Sequence, residues 1–156
     1  MFPCFVADRM LGRLARMLRL LGYDTVYSSK LSPVQITELA QRENRVVLTR
    51  GDISRRFVGI EQVMSLKSEN PPEQLREVVA RLRLDTRTGL WTRCTLCNNA
   101  IVPIEKAAVE ALVKPKVLQI YSEFFRCAGC GHIYWRGSHV ERILKNLTAV
   151  LGQSEK

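Results

Sequence analysis

No apolar run in the sequence approaches the roughly 20 residues that a membrane-spanning helix needs. Its opening, Met1-Phe2-Pro3-Cys4, has neither the basic stretch nor the apolar core of a secretory leader. A cytoplasmic protein is therefore expected, and five cysteines in that setting do not read as a disulfide framework. Internal repeats and low-complexity tracts are missing too, which excludes solenoids and leaves an ordinary globular chain of one or two domains. Acidic residues are scarce: 15 Asp and Glu face 24 Lys and Arg, a formal charge of +9. Both halves of the chain share the excess. A polyanion such as RNA or DNA is the natural partner, with solubilising surface charge as the plain alternative.

What is present begins at Phe5-Val6-Ala7, too short for a helix and read as a buried strand that hands over at Asp8. From Arg9 the period changes. Met10, Leu11, Leu14, Met17, Leu18 and Leu21 follow one apolar helical face, while Arg9, Arg13, Arg16 and Arg19 share another side, predicted to be a basic stripe in solvent. Gly22 stops the helix as a left-handed cap, and Asp24 to Tyr27 resumes in β-forming residues, completing a β-α-β unit. Ligands of such units collect at the carboxyl ends of the strands, where Asp8 lies.

Ser32 and Pro33 mark the cap and first residue of a second helix, running to about Arg42. Val46-Val47-Leu48 reads as a third strand, followed by the polar loop Thr49-Arg50-Gly51-Asp52, and Gln62 to Leu66 as a fourth. Asn70-Pro71-Pro72-Glu73 caps a helix in which Leu75, Val78, Val79 and Leu82 recur at helical spacing. Strands alternating with helices predict an α/β domain over residues 1–88 with a mostly parallel sheet covered on both faces. The polar break from Asp85 to Gly89 sets the expected boundary, with a smaller domain over 89–156.

That second domain carries two Cys-x-x-Cys pairs, Cys94/Cys97 and Cys127/Cys130, separated by 29 residues. A two-residue gap lets both sulfurs of a pair meet one ion at ~2.3 Å, and four thiolates close a tetrahedral site. Such a closed set predicts a structural zinc that substitutes for a hydrophobic core in a small segment. Zinc with four thiolates lowers the net charge to about +7. Cys4 is expected to pack with the first strand, Tyr134 and Trp135 to serve as core, and His132 and His139 to stay outside the coordination sphere.

Asp8 and Asp52 both follow strands of the predicted sheet, so their carboxylates can converge on one edge and hold a magnesium or manganese ion. Such ions activate water and neutralise phosphate in phosphodiester cleavage. The competing reading makes each aspartate a helix cap. Glu38 is either a third ligand or a solvated residue of its helix. Arg13 and Arg16 of the stripe, with Arg50, Arg55 and Arg56 beside Asp52, are the candidate contacts to a nucleic-acid backbone.

The run Val6-Ala-Asp-Arg-Met-Leu-Gly-Arg-Leu-Ala-Arg-Met-Leu-Arg-Leu-Leu-Gly22, the Leu48-Thr49-Arg50 segment, and Cys127-Ala-Gly-Cys-Gly-His-Ile-Tyr-Trp-Arg-Gly-Ser-His139 together resemble the Mut-seven C-terminal RNase domain family, over nearly the whole chain. The resemblance implies a PIN-like three-layer α/β nuclease domain followed by a zinc ribbon, with acidic residues at the sheet edge holding a catalytic divalent metal. It puts Asp8 in the place of the first such aspartate and the two cysteine pairs in the ribbon's ligand positions. The chain departs from the pattern in two places. Gly51 follows Arg50 where the family usually has aspartate, so Asp52 comes one position late, and Ser32 and Pro33 stand where acidic residues are usual. Two functions follow: a metal-dependent ribonuclease using Asp8 and Asp52, or a catalytically depleted PIN-like module that binds RNA or serves as an adaptor.

Overall fold

β1 (Phe5–Ala7) is buried at every residue because strands flank it on both sides. In the computed structural model, which describes residues 2–52 and 56–152, it pairs in parallel with β2 (Thr25–Tyr27) on one side and β3 (Val46–Thr49) on the other. β4 (Val63–Ser65) adds to β3, again in parallel, giving the order β2-β1-β3-β4. Parallel neighbours need crossovers, which here are α1 (Gly12–Leu20), α2 (Pro33–Glu43) and the connection that leads to β4. α3 (Pro71–Leu82) follows and packs beside α1.

Alternation along the strands sends side chains to both faces. Val6 and Val47 meet Ile36 and Ala40 of α2, with Phe57, in one buried cluster. Phe5 turns the other way, against the ring of Tyr23 at 5.8 Å. Leu14 and Leu18 of α1 and Leu75 and Val78 of α3 are buried as well. The fold is thus α/β with a parallel four-stranded sheet, and among the described residues no helix is long and apolar enough to cross a membrane.

The helix ends follow local chemistry. Ser32 and Gln35 form a reciprocal capping box, with Pro33 at the first helical position. Asn70 accepts from the amide of Glu73 at the start of α3. α1 closes in a Schellman motif: the amide of Gly22 donates to Arg19 O and that of Tyr23 to Leu18 O, both at 2.9 Å. Gly22 has φ of +91°, and a Cβ there would lie 2.1 Å from the carbonyl oxygen of Gly89, so the position needs glycine for both conformation and space.

Two expectations for α1 are corrected. Met10 is 65% exposed rather than buried, because Arg9–Leu11 form a 3-10 turn capped by Asp8 and stand out of register with the helix that follows. Arg19 is 5% exposed rather than part of the solvent-facing stripe. Its guanidinium donates to Thr25 O at 2.9 Å, Thr95 O at 3.0 Å and Leu96 O at 3.1 Å, and these acceptors draw it inward. The exposed stripe is therefore Arg9, Arg13 and Arg16.

The chain divides into two compact units, 1–98 and 99–156. The first includes the polar stretch from Asp85 to Gly89, whose turn is held by the Asp85 carboxylate accepting from the amides of Arg87 and Thr88. Tyr23 Oη donates to Asp85 O at 2.8 Å and the Trp91 amide to Leu20 O at 3.2 Å, tying this stretch to the end of α1. The second unit is an antiparallel sheet in the order β5 (Ile101–Ile104), β6 (Phe124–Cys127), β7 (Ile133–Tyr134). Two short helices, α4 (Lys106–Val109) and α5 (Pro115–Ile120), separate β5 from β6, and α6 (Ser138–Gly152) ends the described chain. Among its described residues the large buried side chains are Val109, Phe124, Tyr134, Val140 and Leu147.

Gly22→Ala tests the joint between α1 and the Gly89 turn. The substitution combines left-handed strain with a backbone clash and is expected to cost roughly 2–4 kcal/mol of unfolding free energy in a urea titration. An unchanged midpoint would contradict the close approach.

Candidate active site and metal centre

The strand order reverses between β1 and β3, since the chain leaves β1 towards β2 on one side and later returns to add β3 on the other. In open parallel sheets a crevice forms outside the carboxyl ends of the strands at such a point. Asp8 directly follows β1 and Thr49 ends β3, so two polar side chains meet there. Asp8 is 3% exposed. Burying a carboxylate costs several kcal/mol unless donors replace its water, and three do. Oδ1 accepts from the amide of Arg9 at 2.8 Å, capping the 3-10 turn. Oδ2 accepts from Thr49 Oγ1 at 3.0 Å and from Arg56 Nη1 at 3.0 Å. Thr49 Oγ1 in turn accepts from the amide of Gly51 at 3.1 Å. The cap reading of Asp8 thus holds for Oδ1, while Oδ2 is paired with the Arg56 guanidinium.

The donor set fits a hard divalent ion. Magnesium is commonly held by one or two carboxylates with several waters, and Asp8 Oδ2 beside Thr49 Oγ1 offers two hard oxygens where the Arg56 guanidinium already stands in as the positive charge. Asp52 is exposed on the loop after β3, and Glu38 is exposed on α2. Arg50 forms an ion pair with Glu69 at 2.7 Å. Arg13 and Arg16 are exposed on α1, while Arg55 lies outside the described residues. Arg56, expected from the sequence only as a contact to a nucleic-acid backbone, is paired with Asp8. Its approach to Asp8 depends on the path of the intervening chain, which spacing does not encode.

The four cysteines do come together. The Sγ atoms of Cys94, Cys97, Cys127 and Cys130 lie within 4.8 Å of one another. A tetrahedral ion with ~2.3 Å bonds sets sulfurs about 3.8 Å apart, so the set fits a structural metal such as zinc. Each pair is followed by a left-handed residue, Asn98 at φ +72° and Gly131 at φ +76°. The Asn98 amide donates to Cys94 O at 3.0 Å and the Gly131 amide to Cys127 O at 3.1 Å, giving both turns the same closure. The amides of Gly129 and Cys130 donate to Cys127 Sγ at 3.4 Å and stabilise a thiolate there.

At the first pair the left-handed position is asparagine, which tolerates that conformation and uses its side chain. Oδ1 accepts from the Thr25 amide at 3.0 Å, filling an outer donor of β2, and Nδ2 donates to Asp24 Oδ1 at 2.8 Å. Asp24 also receives Arg45 Nη1 at 2.7 Å, and Arg45 itself donates to Phe5 O and Glu43. Burial raises the Asp24 pKa, but the hydrogen bonds from Arg45 and Asn98 outweigh it and hold the carboxyl below its ordinary value. Arg19 reaches the same turn through Thr95 O and Leu96 O. Burial lowers its pKa against the opposing pull of the Cys94 and Cys97 sulfurs, and an arginine remains charged throughout.

Because the folded pKa of Asp24 is depressed, its stabilisation is complete above the ordinary carboxylate value near 3.9 and is lost as pH falls through the lower folded one. Asp24→Asn is expected to cost roughly 1.5–3 kcal/mol at neutral pH. The gap from wild type should narrow below about pH 4. Urea unfolding of both proteins at pH 7 and pH 3 checks this, and a gap independent of pH would contradict it.

The Mut7-C RNAse domain model matches residues 3–147. No curated protein and no solved structure matches the chain. The family match takes in Asp8, Thr49, Arg56 and all four clustered cysteines, and it runs through both units. The chain belongs to the Mut7-C RNAse domain family.

Proposed function

We propose that the protein is a divalent-metal-dependent ribonuclease that hydrolyses RNA phosphodiester bonds at Asp8, and that its four cysteines hold a structural zinc. The observation that carries the reading is the buried carboxylate of Asp8, placed at the carboxyl end of the central strand where the order reverses and already facing a cation. Bound magnesium or manganese supplies an activated water and neutralises charge on the phosphate. Asp8 and Thr49 are the residues that hold such an ion, with Asp52 as the second carboxylate brought in from the loop. Thr49 fixes the carboxylate by donating to Oδ2. Arg13 and Arg16, exposed on the helix that begins just after Asp8, bind the RNA backbone together with Arg50 and Arg55 beyond β3.

The Arg56 ion pair favours a second reading from another class. A guanidinium that neutralises Asp8 permanently would leave an RNA-binding or adaptor module without hydrolysis.

Labelled single-stranded RNA incubated with magnesium or manganese separates the two. Wild type is expected to cleave, chelator to stop it, and Asp8→Asn to lose at least about a hundredfold in rate while still binding RNA. Cleavage that persists in Asp8→Asn would overturn the site. Wild type that binds RNA and never cuts it would select the adaptor.

A further inference from the structure

We infer that Arg56 is the exchangeable cation of the Asp8 site: it neutralises the buried carboxylate when no divalent ion is there, and is displaced by that ion onto a phosphate oxygen of bound RNA. The inference rests on the nuclease reading and deepens it. Asp8 Oδ1 caps the amide of Arg9, and Oδ2 is the oxygen that already faces a positive charge, with Arg56 Nη1 3.0 Å from it. A divalent ion on that oxygen would repel the guanidinium beside it, so the two exchange rather than share.

The two partners differ in how firmly they are held. Asp8 and Thr49 are buried at the ends of adjacent strands, whereas the Arg56 side chain is 34% exposed, with its guanidinium 5.4 Å from the centre of the Phe57 ring. Moving it gives up its bond to Asp8 and its place over the Phe57 ring, neither of which is a strand hydrogen bond. Gly51 provides the room for this arm. Its φ lies outside the left-handed region, so conformation does not demand glycine, but an added Cβ would come 2.7 Å from Arg56 Nη1 and 3.6 Å from its Cδ. The arm lies across bare backbone.

A guanidinium presents five donors, and its planar fork matches the paired oxygens of a phosphate. Once released from Asp8, it stands beside the position where the proposed hydrolysis occurs. Arg56 therefore acts in opposite directions on two measurable quantities: it weakens metal binding and speeds cleavage. A purely structural ion pair produces no such opposition.

The test uses the full zinc-loaded chain as wild type, Arg56→Gln, Gly51→Ala and Asp8→Asn. Mn2+ alone is titrated and followed by the paramagnetic resonance of the free ion. Arg56→Gln is expected to bind Mn2+ about tenfold more tightly than wild type. Gly51→Ala, which keeps the arginine but pushes it off the carboxylate, should shift in the same direction, and Asp8→Asn should bind weakly. At saturating Mn2+, Arg56→Gln is expected to cleave labelled single-stranded RNA about a hundredfold more slowly than wild type. Affinity equal to or below wild type in both Arg56→Gln and Gly51→Ala overturns the exchange. Tighter binding with undiminished cleavage overturns the phosphate role. Mn2+ binding that ignores Asp8→Asn, or is absent throughout, overturns the nuclease reading itself and the inference with it.

Discussion

A carboxylate that is almost fully buried must have every water it loses replaced, and in this protein that requirement links three stretches of chain, at Asp8-Arg9, Thr49 and Arg56. Asp8 takes its donors from the turn that starts α1, from the last residue of β3 and from Arg56. Each is available only because of something else. Thr49 reaches Asp8 because β1 and β3 are neighbours in register, with Ala7 beside Leu48. The Arg9 amide is free of helical obligations because it opens a 3-10 turn. Arg56 approaches over a position with no side chain. The same arrangement leaves the site charge-balanced, one carboxylate against one guanidinium, and it is this pair that the proposed chemistry must open.

A second polar network sits on the outer side of β2 and follows the same physics. Asp24 is bonded by Arg45 and Asn98, while Asn98 and Arg19 both reach the backbone of Thr25 on the outer edge of β2 and Arg19 also reaches Thr95 and Leu96, so that the turn carrying Cys94 and Cys97 is hydrogen-bonded to the sheet. Buried polar networks stabilise only when every member is satisfied. Asparagine rather than glycine at position 98 meets that condition, because it supplies both a left-handed backbone and two side-chain bonds.

Features governed by near neighbours could be read from the sequence. The buried strand Phe5–Ala7, the Ser32 and Asn70 caps, the glycine stop at position 22 and the parallel β-α-β pattern all follow from local residue chemistry, and the structure contains each of them. The cysteine spacing announced the cluster in the same way. What could not be read depends on partners far along the chain. Arg19 looks like one member of a basic stripe until Thr95 and Leu96, some 76 residues on, offer it carbonyls. Arg56 looks like one of several loop arginines until Gly51 lets it reach Asp8. α6 is a local feature as well, since Val140, Ile143, Leu144 and Leu147 recur at i, i+3, i+4 and i+7. At Gly51, legible as a missing carboxylate, an added Cβ would come 2.7 Å from Arg56 Nη1, a closeness that spacing does not encode.

The central claim is that Asp8 Oδ2 is a site where cations exchange. A crystal structure of the zinc-loaded protein soaked in manganese tests it most directly, through anomalous scattering. The account predicts a manganese peak bonded to Asp8 Oδ2, with the Arg56 guanidinium moved away from the carboxylate. Arg56 still paired with Asp8, with no manganese at that oxygen, would contradict it.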